Sequence, residues 1–139
     1  MHLNLSKSDY LYGVLILALI IILLAVFGFL YRRNIRKPTS QQWKDIQKLL
    51  KNKNNWQQAI YEADKLLDDI LKEKHYKGKT MGERLVSAQH EIKANDRVWY
   101  SHKLKNKLES GEMDKVTKTE VKQTLLGFWL ALKDLGAFK

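Results

Sequence analysis

One stretch of this sequence gathers side chains that could do chemistry. Between Trp99 and Ser110 stand an imidazole (His102), an ammonium (Lys105), an amide (Asn106), a carboxylate (Glu109) and a hydroxyl (Ser110). At about 100° per residue, Trp99, His102, Asn106, Glu109 and Ser110 fall broadly on one helix face. Tyr100, Leu104 and Leu108 fall on another. An imidazole can move a proton near neutral pH, and a cation can stabilise developing negative charge. The face is therefore a candidate for acid–base work or for holding a polar partner. The same composition also suits an ordinary polar helix surface.

Other constellations are weaker. Glu62, Asp64, Asp68 and Asp69 recur at helical spacing and could gather a cation. The spacing predicts instead a solvated acidic face paired with Lys65 or Lys72. The histidines are His2, His75, His90 and His102, and none has a second ligand at metal-binding spacing; His90-Glu91 lacks the second histidine of a zinc-protease helix. There is no glycine-rich phosphate loop and no nucleophile elbow. Without cysteine, disulfides, thiolate zinc sites and a thiol nucleophile are excluded. No metal and no cofactor is expected.

The elements that would carry these residues read as helices, with no strand pattern. After Pro38, a first helix follows Ser40, with Trp43, Ile46, Leu49 and Leu50 on one face, closed by Asn52, Asn54 and Asn55. A second runs from Trp56 to about Tyr76, with Ile60, Ala63, Leu66, Leu67, Ile70 and Leu71 at helical spacing and Gly78 as its stop. Thr80 and Glu83 have the spacing of a capping box and open a third helix, with Met81, Leu85, Ala88 and Ile92 facing inward. Asn95 and Asp96 read as a turn and cap before the fourth, Arg97 to about Leu108. A second capping box, Thr117 and Glu120, opens the last, with Val121, Leu125, Phe128, Trp129 and Leu132 inward and Gly136 as its end. Residues 41–139 should thus form one all-α bundle of about five helices, with Trp43, Trp56, Trp99 and Trp129 in or near its core.

Ahead of the bundle lies a run of a different kind. No charge occurs from Tyr10 to Tyr31. About 20 helical residues cross a hydrocarbon layer of roughly 30 Å. Residues 11–31 therefore read as a transmembrane helix, with tyrosines at both ends where amphipathic rings favour the interface. The run is too long for a cleaved signal peptide, and its charges follow it. Arg32, Arg33, Arg36 and Lys37 make a cationic collar within the linker 32–40, suited to lipid headgroups. By the positive-inside rule, residues 1–10 lie outside the cell membrane and the bundle in the cytoplasm.

The runs Glu62–Asp68, Gly78–Leu85, Trp99–Asn106 and Ala131–Gly136 resemble a HEPN-like helical domain, and in particular small membrane-anchored versions found in bacteria with reduced genomes. That resemblance, covering about Trp43 to Gly136, implies a metal-independent ribonuclease site of an Arg, a polar residue such as Asn, and a His four to six positions after the Arg, paired across a dimer. Here Lys105 stands at the Arg position, Asn106 matches, and Ser110 stands at the His position. Lysine lacks the planar fork that grips phosphate, and serine cannot shuttle a proton at neutral pH. The motif is degenerate, and His102 precedes Lys105 rather than following it.

The expectation is a membrane-anchored interaction module without catalytic activity. Its partners would be the bilayer and either another protein or a second copy, bound through the fourth bundle helix at Trp99, His102, Asn106 and Glu109. The net charge of +10 and the lysines 103, 105, 107, 115 and 118 keep RNA as an alternative partner, and a divergent ribonuclease as an alternative activity.

Overall fold

The computed structural model describes residues 7–35 and 37–138, with side chains described for 7–30 and 37–138. Among these residues there are six α-helices, one 3-10 turn and no strand. The collar side chains Arg32, Arg33 and Arg36 and the outermost residues 1–6 lie outside this description; Lys37 is exposed.

The chain divides into two units, 1–37 and 38–139. The first holds α1 (Lys7–Ile35). Its segment Lys7–Leu30, 24 residues, is long and apolar enough to cross a membrane. At 1.5 Å per residue it spans about 36 Å. Every large apolar side chain from Leu11 to Leu30 is exposed. Such a surface is costly in water and favourable in lipid, where the helix satisfies its own backbone.

The second unit is built from α2 (Thr39–Leu49), α3 (Trp56–Glu73), α4 (Met81–Ala88), α5 (Asn95–Glu109) and α6 (Lys118–Asp134). Helix α3 is the central element and touches α2, α4, α5 and α6. Its stripe of Ala59, Ile60, Ala63, Leu66, Leu67, Ile70 and Leu71 is buried, as its spacing predicts. Each large member contributes about 1.5–3 kcal/mol by leaving water.

Several local expectations change. Helix α2 starts at Thr39, directly after Pro38, so Ser40 is inside it rather than before it. Proline suits this position because its missing N–H has no helical partner there. The asparagine run folds into a 3-10 turn, Lys53–Asn55, with the Asn52 side chain accepting from the Asn54 N–H at 3.0 Å. Helix α3 stops before Gly78. His75 takes a left-handed conformation, φ 63°. The His75 N–H donates to the Lys72 carbonyl at 3.0 Å and the Tyr76 N–H to Leu71 at 3.1 Å, which closes the helix end as a Schellman motif. Thr80 caps α4 as expected, but Glu83 accepts from the Lys79 N–H rather than reciprocating to Thr80. The Thr117–Glu120 box is complete. Ile92 is buried but lies past the end of α4.

Helices α5 and α6 form an antiparallel hairpin whose closeness depends on one glycine. Ser101 Oγ contacts the Arg97 carbonyl at 2.9 Å and the Thr124 carbonyl at 2.8 Å. A Cβ on Gly127 would collide with Ser101 Oγ and the Arg97 carbonyl oxygen. At the other end, Asp134 accepts from the Lys93 N–H at 2.9 Å and the Ala94 N–H at 3.3 Å. It supplies a cap for α5 that Asn95 and Asp96 were expected to give. Phe138 packs edge-on against Trp43 and stacks on Trp129, with centroids 6.3 Å apart in both pairs. Trp43 is buried, and Trp56, Trp99 and Trp129 are half-buried against the core.

Two substitutions test this account in urea titrations of the full chain. Gly127→Ala should lose about 2–3 kcal/mol by forcing α5 and α6 apart. His75→Gly should gain about 0.5–1 kcal/mol, because relief of about 1–2 kcal/mol of left-handed strain exceeds the added chain entropy. An unchanged midpoint for Gly127→Ala would contradict the packing described.

Candidate functional site

The residues singled out for chemistry meet at the seam between α3 and α5. Helix α3 brings Asp64, one turn after Ile60 and one turn before Leu67, so its carboxylate points inward with the apolar stripe. It is 6% exposed. Helix α5 brings His102, which is 8% exposed. Asp64 Oδ1 lies 3.0 Å from His102 Nδ1. The other ring nitrogen, Nε2, lies 3.3 Å from the Asn106 amide nitrogen. Asn106 Oδ1 accepts from Lys105 Nζ at 3.3 Å. Lys105 Nζ lies 3.3 Å from Asp64 Oδ2, which closes the circuit.

The contacts form a ring: Asp64, His102, Asn106, Lys105 and back to Asp64. Donors and acceptors agree around it when Nδ1 carries the proton and Nε2 accepts from the amide, a tautomer assigned from the partners. Lys105 also pairs with Glu109 at 2.9 Å. Its three N–H groups thus meet three acceptors, Asp64, Asn106 and Glu109. Burial pushes the Lys105 ammonium down, but the Glu109 hydrogen bond and the Asp64 charge outweigh it and raise its pKa above the ordinary value. Trp99 covers one side, its ring edge-on to His102 with centroids 6.0 Å apart. Gly82 of α4 covers another: a Cβ there would lie 3.8 Å from His102 Nε2 and 3.9 Å from the Trp99 ring.

A second polar brace joins α3 to α4. Arg84, 7% exposed, donates from Nε to Asp68 Oδ1 at 2.7 Å and from a terminal nitrogen to the Gly78 carbonyl at 2.7 Å. Lys72 adds an ion pair to Asp68 at 2.6 Å. Burial raises the Asp68 carboxyl, yet the hydrogen bonds and charges of Lys72 and Arg84 prevail and lower its pKa. Nearby, burial and a hydrogen bond with Glu91 push the Tyr76 phenol to about 12.

Several expectations are corrected here. Asp64 is not on a solvated acidic face. Asp69, by contrast, pairs with Lys65 at 2.9 Å as expected. Of the expected interaction face, Asn106 and Glu109 are exposed, Trp99 is half-buried and His102 is buried. Ser110 does not join the ring; its hydroxyl donates to the Lys107 carbonyl at 3.2 Å at the end of α5. His102 does reach Asn106 although it precedes Lys105, because four residues are one helical turn. Sequence reasoning missed Asp64 and Arg84. Both carried a usable signal, since Asp64 lies in line with Ile60 and Leu67, and Arg84 with Met81, Leu85 and Ala88. A charge on an apolar stripe asks for a partner across the core.

No family model, curated protein or solved structure matches the chain. Among the described residues, no group of three His, Asp or Glu side chains could hold a metal ion. The lysine cluster is partly neutralised, for Lys105 is saturated and Lys107 pairs with Glu112 at 3.3 Å.

The ring and the brace set opposite limbs of the stability–pH profile. Asp68 titrates lower in the folded state. Its contribution is present above about pH 4 and is lost as pH falls through the folded pKa. Lys105 and Tyr76 titrate higher when folded. Their contributions are complete below about pH 10 and are lost as pH rises through their folded values. Thermal melts should show both limbs, and Arg84→Met should flatten the acid one. Asp64→Ala should cost about 3–5 kcal/mol, because it leaves Lys105 and the His102 Nδ1–H without their buried partner. A loss below about 1 kcal/mol, the scale of a surface pair, would refute the ring as a brace.

Proposed function

We propose that this chain is a single-pass membrane protein whose cytoplasmic helical domain is an interaction module rather than an enzyme. The observation that carries this reading is the saturation of the ring. A ribonuclease site needs a cation available for phosphate and an imidazole nitrogen available for a proton. Lys105 spends all its donors on Asp64, Asn106 and Glu109. His102 spends both nitrogens on Asp64 and Asn106. The cluster holds α5 on α3.

What remains accessible on that part of α5 is Asn106, Glu109 and the outer part of Trp99. We assign to these residues the contact with a protein partner, a second copy being the simplest case. The orientation, with the N-terminus outside, rests on the cations Arg32, Arg33, Arg36 and Lys37 after the apolar segment, against Lys7 and Asp9 before it. A HEPN-like ancestry accounts for Lys105 and Asn106 standing at the motif positions of a helical bundle, with Ser110 in place of the catalytic histidine.

One observation favours a second reading, a divergent ribonuclease. A carboxylate on Nδ1 of a histidine is also how an enzyme orients a general base. In that reading Asn106 would give way to substrate and leave Nε2 open.

Two measurements on the detergent-solubilised full chain decide between them. Light scattering should give more than one chain per particle, falling to one for Trp99→Ala combined with Asn106→Ala, with the helical circular dichroism unchanged. An RNA-cleavage assay should show no cutting by the wild type. Cleavage that disappears in His102→Ala would restore the enzyme; particle mass indifferent to the α5 variants would remove the interaction face.

A further inference from the structure

The outer surface of the α5–α6 hairpin has no role in the ring or the core. An open cleft of about 280 Å³ there is lined by Asp96, Arg97 and Tyr100 from α5 and Gln123 from α6. The two helices therefore present one continuous face. Tyr100 is 43% exposed, and Leu126, one turn beyond Gln123, is 40% exposed. Outside α1, the only other large hydrophobic side chain with comparable exposure among the described residues is Val86 on α4.

The surroundings of Tyr100 and Leu126 are cationic. Arg97 and Lys103 lie one turn to either side of Tyr100, and Lys122 one turn before Leu126. All three are exposed, and none joins a salt bridge among the described residues. Asp96, an acid, also lines the cleft. This combination of an aromatic ring with a polar tip, an aliphatic side chain and unpaired cations is the chemistry of a bilayer interface. Cations are drawn to an anionic leaflet, and a tyrosine favours headgroup depth.

Chain connectivity selects the occupant. Only residues 36–38 lie between α1 and α2. A short connector to a membrane-spanning helix gives a lipid surface a far higher local concentration than any soluble partner. A second copy is disfavoured at this face because its excess of like charge would meet itself across a two-fold axis.

We propose that the Tyr100–Leu126 face of the α5–α6 hairpin docks on the surface of the anionic bilayer in which α1 is anchored. This rests on the reading of α1 as a membrane span but goes beyond it. It is separate from the partner contact assigned to Trp99, Asn106 and Glu109. The domain then has a lipid-bound and a released orientation, and the anionic lipid content sets the balance.

The sequence has no cysteine, so single labels are unambiguous. Full chains carrying a nitroxide at Leu126→Cys, Glu62→Cys or Ile20→Cys are reconstituted in vesicles of phosphatidylcholine alone or mixed with phosphatidylglycerol. Collision with a water-soluble nickel complex is read by power-saturation electron paramagnetic resonance. The expected result is a several-fold fall in nickel access at position 126 on adding phosphatidylglycerol, with no change at 62, on the exposed side of α3. Arg97→Glu, Lys103→Glu and Lys122→Glu together should abolish the fall. Equal access at 126 in both vesicles overturns the proposal. So does dipolar broadening between two labels at 126, which would place a second copy on the face. The label at 20 reports on the anchor by itself: nickel access there would sink the membrane-spanning reading, while the comparison at 126 still judges the surface contact.

Discussion

The helical bundle depends on keeping one carboxylate out of water. Asp64 sits in the apolar stripe of α3, the helix every other bundle helix touches. A bare carboxylate there would cost several kcal/mol. It is tolerated because His102 and Lys105 each take one of its oxygens. That requirement fixes more than a pair. His102 and Lys105 are three residues apart on α5, so both can reach the same carboxylate only at one rotation and one height of α5 against α3. Asn106 and Glu109 then complete the partners of Lys105. An apolar seam could slide by a turn at little cost; this one cannot.

The same arrangement bears on function because groups that hold a fold together are less free to react. Lys105 and Asn106, the cation and the amide of α5, are both tied into the ring. Other cations, Arg97, Lys103 and Lys122, stay in solvent on the outside of α5 and α6. The ring thus joins two settings on one helix: His102 is buried against α3, while Asn106 and Glu109 are exposed. A residue list drawn from α5 alone mixes the two, as the grouping of buried His102 with exposed Glu109 illustrates.

Most helices and two of their starts were readable from local pattern. The stripes of α2, α3 and α6 have helical period, and Thr80 and Thr117 occupy their cap positions. What was not readable came from distance or from the backbone. Asp134 caps α5 from 40 residues away, and no local spacing announces it. His75 ends α3 in a conformation usually left to glycine, so Gly78 drew the boundary too far. Asp64 was misplaced for a different reason. It is one of four acids in a short span, and their shared charge suggested a shared face. The helical period separates them: Asp64 follows Ile60 inward, while Glu62 points outward and is exposed.

The remote cap on α5 also has a meaning in time. Chains grow at about 5–20 residues per second, so some 40 residues separate the synthesis of Ala94 from that of Asp134 by about 2–8 s. Throughout that interval α5 lacks that cap and α6, although α3 has already been made. The apolar face of α3 is meanwhile only partly covered, on a nascent chain whose apolar helix α1 has already been made. The order of synthesis thus opens a window of seconds in which the unfinished domain can stick to lipid or to neighbours.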